Sequence, residues 1–231
     1  MRKIGLIGGM SWYSTRTYYE HINRLVQTRV GQGASAPMVI ESLNFAELSR
    51  LSTDAEWASA AKTLAAAAKR LEKAGATAIL IGANSMHKVY DQVAKAVDVP
   101  IIHIAECVAE RMAAAKVKRA ALLGPRTVML ESFYRQKLIA RDIELLPPEL
   151  PFVETLDRVI YDELLKGKVS RQAERELKTI ITNLEHDGAE AVVLGCTELE
   201  MIVDVDANVL PIYDCTRIHA EAAVGWMLAD A

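Results

Sequence analysis

Cys196 is the residue whose type and position in this sequence most favour chemistry. It follows an apolar run at 192–194 and Gly195, and it stands close to the predicted start of a helix. The positive end of a helix dipole lowers the pKa of a nearby thiol, so we expect a reactive thiolate at Cys196. Cys107 and Cys215 lack this context, and we expect both to be structural. Three widely spaced cysteines also argue against a disulfide framework and a CxxC metal site.

Four short loops combine a glycine with a polar side chain that could hold a ligand. They lie at residues 8–11, 82–85, 124–127 and 195–198. In open parallel sheets, ligands bind beyond the carboxyl ends of the strands, where helix N-termini favour anions. We therefore predict a site for a small anionic substrate. Its candidate contacts include Met10, Ser11, Asn84 and Ser85. The alternative is that such residues are ordinary helix caps.

The spacing of the histidines and glycines indicates which metal and cofactor sites the sequence lacks. His87 closely follows Asn84 and Ser85, and it could be an acid, a base, a carboxylate partner or a helix-capping imidazole. The other four histidines show no HxxxH spacing, so we predict no metal ion. The glycines at 5, 8 and 9 do not form GxGxxG, and no GxxxxGK(S/T) occurs, which disfavours a dinucleotide and a P-loop.

The charge balance argues against polyanionic partners. The chain has 27 basic and 30 acidic residues, for a net charge of −3, and 51% of its residues are hydrophobic. Such a chain can bury a full core but has no broad basic field for nucleic acid or an acidic membrane surface. The sequence contains no apolar run of about 18 residues and no leader-like start. We therefore expect a soluble cytoplasmic protein.

Short apolar runs alternate with longer segments of helical period, which is typical of an α/β fold with mostly parallel sheets. The predicted strands lie at 4–7, 38–43, 79–81, 101–104, 120–123, 143–146, 192–194 and 209–212. The predicted helices lie at 18–30, 56–74, 87–97, 105–115, 128–140, 152–166, 170–187 and 216–229. Gly75 is expected to end the second of these helices.

An internal repeat predicts that these elements form two similar lobes. Residues 3–8, 75–84 and 99–103 recur in the same order at 119–124, 188–197 and 210–214. We expect a first lobe of residues 1–98 plus 212–231 and a second lobe of residues 99–211. The repeat places Ala83 and Cys196 at the same position of the two lobes. The alternative is that any two βα units look alike.

Four motifs resemble the aspartate/glutamate racemase family, most closely its bacterial amino-acid racemase branch, over nearly the whole chain. They are IGLIGGMSW at 4–12, NSMHKV at 84–89, PIIHIA at 100–105 and LGCTE at 194–198. The resemblance implies two pseudo-symmetric α/β lobes with the active site in the cleft between them. It also implies an amino-acid or dicarboxylate substrate, no cofactor and a homodimer.

The resemblance also implies roles for individual residues. Family members remove the α-proton of an amino acid from one face and return a proton from the other, usually with one cysteine from each lobe. Cys196 matches the second-lobe cysteine. Contacts with the substrate amine or carboxylate would come from Thr197, Glu198, Asn84 and Ser85. The first-lobe catalytic position is Ala83, where the family generally has cysteine and sometimes threonine.

Ala83 leaves three interpretations open, because general acid–base catalysis needs a titratable group within hydrogen-bond reach of the moving proton. Ser85, His87 or a water could supply the second acid. The chain could instead perform one-base chemistry, as the related arylmalonate decarboxylases do, or it could be inactivated at Ala83, by nature or by design. A fourth hypothesis is a non-catalytic protein that binds an amino acid or dicarboxylate, although such a binder has no need of a thiolate at Cys196.

Overall fold

The computed structural model describes residues 1–229, which form two compact units. The first unit comprises Met1–Ile104 and the segment that begins at His219, and the second comprises Ala105–Ile218. Each unit contains a four-stranded sheet with parallel pairing. This confirms the predicted α/β class. Among residues 1–229, no helix is both long and apolar enough to cross a membrane.

The first sheet has the strand order β2-β1-β3-β4. Its strands are β1 (Ile4–Gly8), β2 (Met38–Ser42), β3 (Ala78–Ile81) and β4 (Ile101–Ile102). The α-helices that begin in this unit are α1 (Trp12–Val30), α2 (Asp54–Lys73), α3 (Tyr90–Ala94) and α4 (Ile104–Ala114). Two 3₁₀ helices, Phe45–Glu47 and Ser85–Val89, follow β2 and β3. The second of these carries part of the candidate site.

The second sheet has the strand order β6-β5-β7-β8. Its strands are β5 (Arg119–Leu123), β6 (Glu144–Leu145), β7 (Ala191–Leu194) and β8 (Ile212–Asp214). The remaining α-helices are α5 (Arg126–Leu130), α6 (Ser132–Ile139), α7 (Leu150–Asp162), α8 (Arg171–His186) and α9 (Cys215–Leu228). The 3₁₀ helices are Leu164–Lys166 and Thr197–Met201. The two sheets share one strand order, in agreement with the two similar lobes that the internal repeat predicts.

Side chains that alternate along the strands build an apolar layer on each face of the first sheet. Ile7, Ile79 and Ile81 belong to the cluster that contains the buried face of α2. Leu6 and Leu80 belong to a second cluster, with residues of α1 and of α9 from Ala220 onward. Strands buried on both faces read as continuous apolar runs, which is why these segments could be recognised in the sequence.

The two ends of α2 show why its boundaries were predictable. The Thr53 hydroxyl accepts the backbone N–H of Glu56, while the Glu56 carboxylate accepts the backbone N–H of Thr53, so the pair forms a capping box. At the other end, Gly75 has a φ of 87°, a left-handed conformation that favours glycine. The predicted glycine stop of this helix is confirmed.

The units differ from the expected lobes at both junctions. β4 pairs with β3, so residues 99–104 lie in the first unit, and β8 pairs with β7, so residues 212–218 lie in the second. Several elements are also shorter than predicted. The predicted strand at 209–212 begins only at Ile212, because Pro211 has no N–H for a ladder and Val209 is exposed. The predicted helix at 128–140 is divided into α5 and α6 at Glu131, whose backbone is extended.

Candidate functional site

Ala83 and Cys196 occupy matching positions at the carboxyl ends of the two sheets. Each is the second residue after a central strand, β3 or β7, and each follows a glycine. Both residues are buried. The predicted equivalence of the two positions is therefore present in the fold, whereas the predicted meeting of the two positions across one cleft stays a prediction.

Cys196 is the N-cap of the 3₁₀ helix Thr197–Met201 and belongs to a local hydrogen-bond network. Its Sγ–H donates to Glu198 Oε2 at 3.1 Å. The Thr197 hydroxyl donates to the same carboxylate oxygen at 2.7 Å. All three side chains are buried. Glu198 Oε2 is thus engaged by the two residues that precede it, and it lies in position to receive the thiol proton.

The expected low pKa at Cys196 is wrong for this structure. Burial raises the pKa of the thiol well above its ordinary value, and the Glu198 carboxylate raises it further. The backbone N–H groups of Glu198 and Leu199 oppose this, as the helix-terminus argument predicts, but they are outweighed. Cys196 therefore rests as a thiol. It needs a proton acceptor before it can act as a base.

Two glycines let the strand-end loops of the second unit approach each other closely. A Cβ atom on Gly124 would lie 2.8 Å from the carbonyl oxygen of Gly195, the residue before Cys196. The Gly195 N–H also donates to the carbonyl of Leu123 at 2.6 Å. This contact ties the backbone beside the thiol to the end of β5. The glycine of the predicted loop at 124–127 thus permits a close backbone approach next to Cys196.

Asn84 carries an amide that the described residues leave unpaired. The residue is 4% exposed, and neither Nδ2 nor Oδ1 has a hydrogen-bond partner among residues 1–229. An unpaired buried polar group costs about 1–3 kcal/mol, so such groups point to a missing ligand or water. The amide offers one donor group and one acceptor. It suits a ligand that has both an anionic and a cationic group.

His87 is not available as an acid or base. Its Nδ1 lies 3.0 Å from the Ala83 carbonyl, and its Nε2 lies 3.3 Å from the backbone N of Ile104. Both ring nitrogens are therefore bonded to backbone groups. Burial lowers the pKa of the imidazole well below its ordinary value, and the neighbouring histidines His103 and His219 lower it further. The interpretation that His87 replaces the missing base is contradicted by this geometry.

The other predicted contacts have different surroundings. Met10 is buried in the apolar cluster that also contains Ala83 and Met86, so its side chain packs among apolar neighbours. The buried Ser11 is the N-cap of α1, and its hydroxyl lies 3.3 Å from that of Ser14. Ser85 is half-buried at the start of its 3₁₀ helix.

Asp214 is a strand-end residue that the sequence reasoning did not single out. It ends β8 and caps α9 by accepting the backbone N–H groups of Thr216 and Arg217. Burial raises its pKa to about 6, and the carboxyl group of Glu200 adds to this effect. The repeat contained the signal, because it aligns residues 99–103 with 210–214 and so puts Asp214 at a strand end.

Comparisons with known proteins agree with the family resemblance of the four sequence motifs. The family model described as Asp/Glu/hydantoin racemase matches residues 7–223. The broad specificity amino-acid racemase RacX of Bacillus subtilis (strain 168) is 23% identical over 168 residues, which are 73% of this chain and 72% of RacX. A Yersinia pestis protein solved as a candidate Asp/Glu racemase is 37% identical, with a TM-score of 0.90 and coverage of 99% of this chain and 100% of that one. An aspartate racemase homologue from Pyrococcus horikoshii OT3 is 33% identical, with a TM-score of 0.85 and coverage of 98% and 99%.

Proposed function

The chain belongs to the Asp/Glu/hydantoin racemase family, and we propose that it moves the α-proton of an acidic amino acid, with Cys196 as the acid–base group. Membership of this family makes it an isomerase of the racemase type. The substrates proposed are aspartate and glutamate, since the matching family model is described by both and the Pyrococcus horikoshii protein is described as an aspartate racemase homologue.

The observation that carries this proposal is the contact between the Cys196 thiol and the Glu198 carboxylate. In the proposed step, the S–H proton passes to Glu198 Oε2, so an S–H bond breaks, an O–H bond forms and the negative charge moves to sulfur. The thiolate then takes the α-proton of the substrate, which leaves a carbanion. Return of the proton from Cys196 reverses the step. The Thr197 hydroxyl donates to the same carboxylate and orients it.

The unpaired amide of Asn84 supports an amino acid as the ligand. Its Nδ2–H group can donate to a carboxylate, while Oδ1 can accept from an ammonium group, and an α-amino acid carries both. A ligand that hydrogen-bonds to this buried amide removes the cost of leaving it unpaired. Ligands that carry both a carboxylate and an ammonium group should therefore bind more tightly than ligands that lack either one. Ser85, next to Asn84, is proposed as a second polar contact.

One-base chemistry is the second candidate, and Ala83 together with His87 favours it. The methyl group of Ala83 has no proton to give, and both ring nitrogens of His87 are bonded to the backbone. With Cys196 as the single base, the α-proton that points toward this thiol is removed and returned on the same face. The product then keeps its configuration, unless Ser85 or a water supplies a proton from the other face.

The stereochemistry of hydrogen exchange separates these functions. Each enantiomer of aspartate and glutamate is incubated with the protein in D2O, and deuterium at Cα and loss of optical purity are followed together. A racemase exchanges both enantiomers and interconverts them. A one-base enzyme exchanges one enantiomer without inversion. If neither exchanges although calorimetry detects binding, the protein is a binder, and the proposed acid–base role of Cys196 is wrong.

The remaining parts of the proposal concern assembly and location. We propose that the reaction needs no cofactor, that the protein acts as a homodimer and that it works in the cytoplasm, as the family resemblance implies. The near balance of charge supports a small-molecule partner over nucleic acid or an acidic membrane surface. Mass measurement of the native protein in solution tests the dimer.

A further inference from the structure

The backbone partners of the two ring nitrogens of His87 determine which nitrogen carries the proton. The Ala83 carbonyl can only accept, so Nδ1 carries the proton and donates to it at 3.0 Å. The N–H of Ile104 can only donate, so Nε2 is the acceptor at 3.3 Å. His87 is therefore a neutral imidazole in the Nδ1–H form. It joins the turn before Asn84 to the first residue of α4.

His219 is a second buried histidine that bonds to the same segment, residues 102–104, and it does so as the other neutral tautomer, Nε2–H. His219 Nε2 lies 2.9 Å from the Ile102 carbonyl, which can only accept, so this nitrogen carries the proton. Its Nδ1 then accepts from the Tyr18 hydroxyl at 2.7 Å. The chain leaves the first unit after Ile104 and returns to it at His219. The two histidines thus hold residues 102–104 at the place where the chain departs.

We propose that His87 is a positioning residue that fixes the Ala83–Asn84 turn against residues 102–104, with His219 holding that segment in place. The bond from His87 to the Ala83 carbonyl acts on the peptide that leads directly into Asn84. It thereby sets where the unpaired amide of Asn84 points. The inference rests on the proposed function only in taking Asn84 as a ligand contact.

The groups around His87 and His219 favour neutral rings. The His103 ring lies 4.6 Å from that of His87, the Tyr90 ring lies 6.2 Å away, and the two proposed positioning rings are 6.1 Å apart. Tyr18 is the hydroxyl partner of His219. A proton on His87 Nε2 would face the Ile104 N–H, so the bond to residues 102–104 would be lost. Ligand binding that depends on the Asn84 turn should then weaken in acid.

The tautomers are tested directly on the unaltered protein. Long-range nitrogen–hydrogen NMR correlations distinguish Nδ1–H from Nε2–H imidazole and from imidazolium. At about pH 6, His87 is expected as neutral Nδ1–H and His219 as neutral Nε2–H. A charged His87, or an Nε2–H form of it, overturns the proposal whether or not the protein proves to be a racemase.

Substitutions then test the positioning of Asn84. His87→Phe removes both bonds, while His87→Asn keeps a donor for the Ala83 carbonyl. We expect the dissociation constants of L- and D-aspartate, measured by calorimetry, to rise at least about tenfold in His87→Phe and less in His87→Asn, because a small misplacement of a binding group is costly. Tyr90→Phe is the matched control, since it removes the hydroxyl that donates to the Ile101 carbonyl and keeps the aromatic ring beside His87.

A readout without ligand keeps the test independent of the proposed substrate. The side-chain amide signals of Asn84 should move in His87→Phe and stay in place in Tyr90→Phe. For the parent protein, the affinity for aspartate should also fall as the pH is lowered, and this fall should be smaller in His87→Phe, which keeps the titrating His219. Parental affinity and unmoved Asn84 signals in a folded His87→Phe protein would show that His87 has no positioning role.

Discussion

Acid should destabilise the first unit through His219. This side chain is fully buried and bonded through both nitrogens, and burial lowers the pKa from 6.5 to about 4, with a smaller contribution from His103. The folded-state pKa lies below the unfolded one, so the unfolded chain binds more protons between these values. The stabilisation is complete above about pH 6.5, and it is lost as the pH falls toward 4.

The magnitude follows from the gap between the two pKa values. A folded-state value of about 4 against 6.5 corresponds to about 3 kcal/mol of unfolding free energy in total. Between about pH 7.5 and pH 5.5, His219 alone should therefore lower the unfolding free energy by about 1 kcal/mol. The pKa of His87 is lowered in the same direction, so it adds to the loss.

Urea unfolding followed by tryptophan fluorescence measures the pH dependence of the unfolding free energy of the first unit. All three tryptophans of the chain, Trp12, Trp57 and Trp226, lie in the first unit. Parent and His219→Gln are compared at several pH values, with His186→Gln as control, since His186 is exposed at the end of α8. The loss between about pH 7.5 and 5.5 should shrink by about 1 kcal/mol in His219→Gln only. Parallel pH dependences for all three proteins would refute the argument.

Three further substitutions have defined outcomes. Ala83→Cys places a thiol at the strand end of the first unit, and racemisation of aspartate or glutamate, measured by polarimetry, should rise at least about tenfold. An unchanged rate would contradict the scheme in which one cysteine acts from each unit. Gly124→Ala places a Cβ 2.8 Å from the Gly195 carbonyl oxygen, so the unfolding free energy should fall by about 1–3 kcal/mol. Gly33→Ala, where nothing lies within 4 Å of the added Cβ, should cost less than that, and equal costs would refute the steric argument. Thr53→Ala breaks the capping box of α2 and should cost about 1 kcal/mol in urea unfolding, whereas no change would mean that the cap contributes nothing.

The fold was predictable because its signals are local and repeated. Buried parallel strands read as apolar runs, and glycines mark where they end. The repeat then predicted two similar lobes, and the two sheets do share one strand order. The junctions were missed because β4 and β8 are strands of two and three residues, and their pairing partners cannot be assigned from so short a pattern.

The strand-end positions of Ala83 and Cys196 could be predicted from the sequence, but the protonation of Cys196 could not. The position of Cys196 beside a helix start was correct, but the pKa of its thiol depends on burial and on where the Glu198 carboxylate turns. The role of His87 could not be predicted from the sequence either. Its role depends on the N–H of Ile104, a residue 17 positions away that only the tertiary fold brings to the ring.

The rate of deuterium incorporation at Cα tests the central claim most directly. Parent, Cys196→Ser and Cys107→Ser are compared with the aspartate or glutamate enantiomer that exchanges fastest; Cys107 is a half-buried residue of α4 outside the network of Thr197 and Glu198. Removal of a positioned acid–base group should lower the exchange rate of Cys196→Ser by at least about a hundredfold. Cys107→Ser should exchange at the parental rate. Near-parental exchange by a folded Cys196→Ser protein would contradict the assignment of Cys196 as the group that moves the proton.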